Sequence, residues 1–266
     1  QSTVDTQLHI YEEIIRRHNR PKRDRDGVVI CGAYGRGNAG DDAILEAVLQ
    51  EMRSFDPDVP ITVLTKVPKA TRLTYRVRTA GRMAVGTWKK AMRHAGLYIT
   101  GGGSFFQAVP SRRSLWFYLH NIQAAHKAGC KVQMYGCGIG PVLREQHRKL
   151  AASVLNASVD VITLREPDSL KEMQSMGVTK PEILLTADPA LTLPAASEDE
   201  IDSVLLRAGI PPHGKYLCFA LRNWKGFEDK APLFAQAAKY AYETYGLTPV
   251  FAAVEKHLDP VAGRLA

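Results

Sequence analysis

Two adjacent carboxylates, Asp41 and Asp42, directly follow the glycine-rich run Gly32-Ala33-Tyr34-Gly35-Arg36-Gly37-Asn38-Ala39-Gly40. Small residues in such a turn let backbone N–H groups approach a ligand at a helix start. The spacing Gly35-x-Gly37-x-x-Gly40 is not used as a dinucleotide fingerprint, because Asp41 and Asp42 put negative charge where a pyrophosphate would sit. With Asn38, these carboxylates can accept hydrogen bonds from sugar hydroxyls. They equally suit the cap and first turn of a helix with no ligand at all.

A second turn, Gly101-Gly102-Gly103-Ser104, offers backbone donors and a hydroxyl to an oxyanion or a sugar oxygen, and Gln107 adds an amide. Its alternative is tight packing of a strand end on a helix. Arg165 closes an apolar run and can bind a carboxylate or phosphate as a fork, unless it pairs locally with Glu166 or Asp168. Arg222, with Lys225 close behind, repeats that arrangement. Facing Arg165 across a cleft, the two would make a cationic site. Asp188-Pro189 either turns the chain or contacts ligand. His120, His126 and His147 avoid the glycine turns. The sequence has no Ser-His-Asp arrangement, Walker loop or His-Cys cluster, so neither a metal nor a cofactor is expected.

Alternating strands and helices must position these residues. Val28–Cys31, Ile61–Thr65, Leu97–Thr100, Val132–Tyr135 and Val159–Leu164 read as buried strands. Ala43–Met52, Trp88–His94, Leu115–Ala128 and a segment ending near Leu155 read as helices. Lys66–Arg82 reads as a basic, irregular stretch, and Cys137–Pro141 as another glycine turn. This repetition predicts a parallel sheet with helices on both faces and ligands at the carboxyl ends of its strands. The pattern breaks near Leu193–Ser197. Helix Glu198–Ala208, strand Tyr216–Leu221, helix Ala231–Tyr245 and strand Pro249–Val254 then open a second unit. The expected division is an N-terminal helix and basic linker (1–26), a first Rossmann-like domain (27–194), a linker (195–214) and the start of a second such domain (215–266).

The 266 residues are 45% apolar and 23% charged, ordinary for a globular protein. No apolar run approaches the roughly 20 residues that cross a bilayer. The absence of an export segment gives a cytoplasmic expectation, and Gln1 in place of Met gives one of a trimmed N-terminus. Cys31, Cys130, Cys137 and Cys218 lie in or beside apolar runs without metal-ligand spacing and read as buried free thiols. A net charge of +8 suits an anionic substrate or an anionic membrane. Nucleic acid is not expected, because no basic–aromatic interleaving occurs. The amphipathic segment 4–19 and the basic run Arg16 to Arg25 read as a solvated linker or as a peripheral contact with anionic lipid at the inner membrane face.

The motifs together resemble those of the polysaccharide pyruvyltransferase family. They are Val29-Ile30-Cys31-Gly32-x-Tyr34-Gly35-x-x-Asn38-x-Gly40-Asp41-Asp42-Ala43-Ile44-Leu45, Gly101-Gly102-Gly103-Ser104-x-x-Gln107, Tyr135-Gly136-x-Gly138-Ile139-Gly140-Pro141, Leu164-Arg165-x-x-x-Ser169, Ala187-Asp188-Pro189-Ala190 and Leu221-Arg222-x-Trp224-Lys225. The resemblance implies an α/β chain of two doubly wound Rossmann-like domains, GT-B-like, the second incomplete here. It implies phosphoenolpyruvate as donor and a lipid-linked oligosaccharide containing N-acetylmannosamine as acceptor, with a 4,6-ketal as product. Arg165 matches the arginine expected to hold the donor, and Arg222 and Lys225 suit the same clamp beside Gly102, Gly103 and Ser104. Tyr34 and Arg36 fall near the acceptor, with Asn38, Asp41, Asp42 and Gln107 on that side. Family members continue past the point that matches Ala266, through an Arg-Leu-His motif. The general acid is therefore expected outside residues 1–266, with poor transfer by the chain as numbered. The competing readings are a GT-B glycosyltransferase that uses a nucleotide sugar and a non-catalytic glycan-binding module.

Overall fold

The computed structural model describes Ile15 and residues 25–105, 112–222 and 226–255. The expected helix over 4–19 (Ile15 apart), the basic run up to Arg23, and Gln107 and Lys225 lie outside them. Arg25 is described, and although exposed it is anchored by hydrogen bonds. Its Nε and Nη2 donate to the Ala95 carbonyl at 3.1 and 2.9 Å, which ties the chain to the foot of the sheet.

Strand β1 (Gly27–Cys31) leads into α1 (Ala39–Phe55), β2 (Ile61–Thr65), α2 (Pro68–Tyr75), β3 (Arg78–Gly81), α3 (Val85–Arg93) and β4 (Ala95–Gly101). The short β5 (Ser104–Phe105), α4 (Arg112–Lys127), β6 (Lys131–Ile139), α5 (Glu145–Ser158), β7 (Val161–Leu164), α6 (Pro167–Ser175) and β8 (Glu182–Leu185) follow. Seven strands form one sheet in the order β3-β2-β1-β4-β6-β7-β8, every pairing parallel, and β5 adds to the end of β6. The chain winds outward from β1 to β3, then crosses to β4 and winds the other way. The direction reverses between β1 and β4, which is where open sheets of this kind open a crevice.

Helices cover both faces, so the central strands are buried throughout and read as continuous apolar runs. Ile30, Ile44, Leu45, Leu49 and Val63 fill the face under α1. Trp88, Met92, Leu119, Ile122, Met134 and Leu155 fill the other. Asn38 starts α1 by accepting from the Gly40 and Asp41 amides, and Ile44, Leu45, Val48 and Leu49 then fall on its buried side.

Three expectations are corrected. Lys66–Arg82 is not irregular, since it holds α2 and β3. Only Thr71 of α2 is buried, its hydroxyl 2.9 Å from Thr65, so no apolar periodicity betrays the helix. Cys137–Ile139 is not a turn but the bent end of β6, which continues past an irregularity in register between Met134 and Cys137. Cys218 is exposed, whereas Cys31, Cys130 and Cys137 are buried as expected, and all four are free.

After β8, a 3-10 turn (Pro189–Thr192) packs back on α1. Helix α7 (Glu198–Arg207) opens with a Ser197–Glu200 capping box and has no buried residue. Strands β9 (Tyr216–Phe219) and β10 (Thr248–Phe251), joined by α8 (Ala231–Tyr245), form a separate parallel pair. Leu221, Phe227 and Ala231 make its small core.

Gly136 controls the bend in β6. Its φ is +57°, and a Cβ there would lie 2.3 Å from the Pro189 ring. Gly136→Ala is expected to cost at least about 2 kcal/mol through backbone strain and overpacking together. Urea denaturation checks this. An unchanged midpoint would show that the Pro189 turn yields freely.

Candidate active site

The carboxyl ends of β1, β4, β6, β7 and β8 converge, and the expected residues divide there into those that face the rim and those that build it. Tyr34, expected near the acceptor, belongs to the second group. It is fully buried, and its hydroxyl donates to the Gly101 carbonyl at 3.1 Å, strutting the end of β1 against β4. Burial pushes its phenol well above the ordinary value. Asn38 is also engaged: its Oδ1 accepts from Gly40 and Asp41 at 2.9 and 3.2 Å, so that oxygen is committed to the helix cap. Arg36 stands exposed in the loop between them.

Gly102 and Gly103 have φ of +82° and +76°. A Cβ on Gly102 would lie 3.0 Å from Ile44, and one on Gly103 would lie 3.0 Å from Asp41 Oδ1. The glycines therefore serve the packing role at Gly102 and hold Asp41 against the turn at Gly103. The backbone of Ser104 pairs with Gly138.

Arg165 pairs with neither Glu166 nor Asp168. Its Nη1 donates to Asp188 Oδ2 at 2.5 Å, and both side chains are only partly exposed, at 23% and 30%. Glu166 instead accepts from Ser169 at 2.9 Å, and exposed Asp168 pairs with Lys171. Asp188 Oδ1 accepts from the Ala190 amide, capping the 3-10 turn. Since that turn rests on α1, the ion pair is held beside the helix start, close enough for the Arg165 charge to act on Asp41. Gly138 leaves the room, because a Cβ there would lie 2.9 Å from Glu166 and 3.0 Å from Arg165.

Asp41 titrates above the ordinary carboxylate value. Burial is the main cause, Asp42 and Glu255 add repulsion, and Arg36 and Arg165 oppose them. Burial likewise raises Asp42. Arg222 does not stand as an uncommitted clamp. It pairs with Glu255 at 2.6 Å, and Glu255 forms an antiparallel bridge to Asn38 while Ala39 donates to the Val254 carbonyl. The small unit thus reaches the start of α1 through Glu255. Sequence reasoning missed Glu255 and the pairing of Arg165 with Asp188, since those contacts span 33 and 23 residues without a local pattern.

The arrangement holds the Arg165 guanidinium, with Arg36 and Arg222 nearby, among carboxylates at a sheet switch point. It can exchange the Asp188 partner of Arg165 for an anionic ligand, and Asp41 can take a proton. Among the described residues, no group of three or more His, Cys, Asp or Glu side chains could hold a metal ion. Among them too, no helix is long and apolar enough to cross a membrane.

Residues 38–262 match the model of the polysaccharide pyruvyl transferase family. No curated protein matches the chain. The crystal structure of Anabaena Alr3699/HepE in complex with UDP matches with a TM-score of 0.51 at 9% identity, covering 86% of this chain and 70% of that one. At that identity the likeness is one of fold.

The raised Asp41 titration fixes the sign of a stability effect. The unfolded carboxyl titrates near its ordinary value of 3.8 and the folded one higher, so the folded chain binds more protons between the two. Stability therefore falls as pH rises through that window, and the loss is complete once the folded carboxyl has ionised. Favourable placement in the first turn of α1 offsets at most about 1 kcal/mol. Asp41→Asn is expected to be at least as stable as the parent at pH 7, with a flatter stability profile above pH 4. Denaturant titrations at several pH values check it, and marked destabilisation at pH 7 would contradict it.

Proposed function

The chain belongs to the polysaccharide pyruvyl transferase family, and on that premise we propose that it moves pyruvyl from phosphoenolpyruvate to a cell-wall sugar. The acceptor in this reading is N-acetylmannosamine in a lipid-linked polymer precursor, as for the cell-wall pyruvyltransferase CsaB. The product is a 4,6-ketal of the kind that anchors surface-layer proteins, and phosphate is released. The observation that carries the reading is Arg165, held at the carboxyl rim by Asp188 beside Asp41.

In the reaction a proton adds to the methylene of the enol phosphate, and positive charge develops on the neighbouring carbon. One sugar hydroxyl bonds to that carbon, the carbon–phosphate oxygen bond breaks, and the second hydroxyl closes the ring. Of the two hydroxyl protons, one balances the proton now on the methyl group and the other leaves with phosphate. The protein has to clamp the anionic donor, move protons and exclude water.

Arg165 grips the donor's carboxylate or phosphate in place of Asp188, with Arg222, Lys225 and the Gly102-Gly103-Ser104 backbone completing that side. Asp41 takes a hydroxyl proton, a role that a carboxylate of raised basicity performs better than an ordinary one. Asp42, Arg36 and Gln107 contact the acceptor, and Tyr34 and Asn38 hold the turn that presents them. Residues 27–194 form the first domain in this reading, and the second begins near residue 215.

A second reading, transfer from a nucleotide sugar, is favoured by the shared fold with UDP-bound HepE. The two differ in what the site must hold: a compact trianion, or a base and a diphosphate. Phosphate release from phosphoenolpyruvate with a lipid-linked acceptor, measured in the protein that carries this chain, separates them. Arg165→Ala is expected to lose at least about tenfold in turnover or donor affinity, since a charged hydrogen bond is worth about 1.5–3 kcal/mol. Consumption of a uridine-diphosphate sugar without phosphoenolpyruvate, or unchanged kinetics in Arg165→Ala, would overturn the proposal. Binding of the glycan with no turnover of either donor would leave a glycan-binding module.

A further inference from the structure

The sequence contains no Asp or Glu between Asp58 and Glu145. That acid-free span includes β2, α2, β3 and α3, which together form one edge of the sheet. Helix α2 lies on the face of the sheet that α1 covers, where Val77 and Tyr75 join its core, and α3 lies on the opposite face through Trp88 and Met92. The edge strand β3 therefore carries a ridge with basic side chains on both flanks. Lys66, Lys69 and Arg72 on one side and Lys89, Lys90 and Arg93 on the other are all exposed.

The carboxyl tip of this ridge is apolar. Met83 is 87% exposed, and Val67, Leu73 and Val85 are exposed as well. The starts of α2 and α3 abut at the end of β3, since a Cβ on Gly81 would lie 3.8 Å from Ala84 and 3.9 Å from Pro68. An apolar groove lined by Val67, Pro68, Ala70 and Leu73 runs beside the tip. The Arg82 guanidinium stacks 4.2 Å from the centroid of Phe117, joining the tip to the early turns of α4, where Trp116 is exposed. The Lys66 amide donates to the Tyr34 carbonyl, so the tip is continuous with the turn that leads into α1.

We propose that this tip docks the protein on an anionic phospholipid surface, with Met83, Val67 and Val85 entering the headgroup layer and the basic flanks lying against it. Charge complementarity selects the partner: a ridge whose own segments carry no carboxylate meets a surface of phosphates, and each basic side chain near such a surface adds about fivefold to partition. The exposed apolar tip selects a bilayer over a soluble polyanion, which would leave Met83 in water. Docking there puts the carboxyl rim beside the membrane, where the sugar of a lipid-linked acceptor is presented. The docking itself does not depend on the donor chemistry.

The test is co-sedimentation of the protein with phosphatidylcholine vesicles, with and without phosphatidylglycerol. The proposal expects binding only when phosphatidylglycerol is present, and weaker binding at high salt. Lys69→Glu with Lys90→Glu should reduce partition at least about tenfold. Lys171→Glu with Lys180→Glu changes the net charge equally at the opposite edge of the sheet, beside β8, and should alter it by no more than about twofold, being beyond screened range. Met83→Asp should also reduce it about tenfold or more. All five side chains are exposed, and thermal unfolding of each variant checks that the fold is kept. No binding to anionic vesicles would overturn the proposal, as would an equal loss in the opposite-edge variant. Binding indifferent to Met83→Asp would mean adsorption to any polyanion, nucleic acid included, and would overturn it too. Because the readout is binding and not turnover, its failure is distinct from a failure of the pyruvyl-transfer reading.

Discussion

The first turn of α1 rests directly on the backbone of Gly102 and Gly103, and the geometry of the rim follows from that contact. Both glycines are in the left-handed region, where a side chain would be strained and would also strike Ile44 or Asp41. With nothing between them, the helix start comes down onto the end of β4, and Asp41 sits over the switch point of the sheet. The 3-10 turn after β8 packs against the same helix and brings Asp188 with it. Three separate segments thus meet because one helix can come close.

The electrostatics of the rim follow from this crowding. Asp41 and Asp42 repel each other in a partly buried setting, and both titrate high. Arg165 relieves part of that charge but is itself drawn toward Asp188. A guanidinium held by a carboxylate is aimed before any ligand arrives, and an incoming anion has only to displace one oxygen pair. Asp188 is tied to Ala190 through its other oxygen, so it can release Arg165 without losing its place. Sites that hold like charges together in this way sacrifice stability for chemistry.

Much of the fold was legible in the sequence because buried parallel strands leave continuous apolar runs. Val28–Cys31 and Leu97–Thr100 are of this kind, and so is the amphipathic side of α1. The edge was not legible: α2 buries a threonine instead of a stripe of leucines, and β3 has a single buried residue, Ala80. Gly136 and Gly138 look like turn residues, yet they serve a bent strand that other elements approach closely. At the rim, the glycines, Asp41 and Arg165 could be picked out by type. The pairings could not, since Asp188 meets Arg165, and Glu255 meets Arg222, only through the folded chain. Tyr34 was expected near the acceptor, and nothing local reveals that the loop folds its ring under Gly101.

In the proposed function, the Arg165–Asp188 pair beside Asp41 marks the donor site. Crystallographic location of phosphoenolpyruvate bound to the protein tests this most directly. The expected result is the donor's carboxylate or phosphate in hydrogen-bond contact with the Arg165 guanidinium, with Asp188 displaced from it and the enol carbon facing Asp41. Donor density away from the carboxyl rim, with the Arg165–Asp188 pair intact, would contradict it.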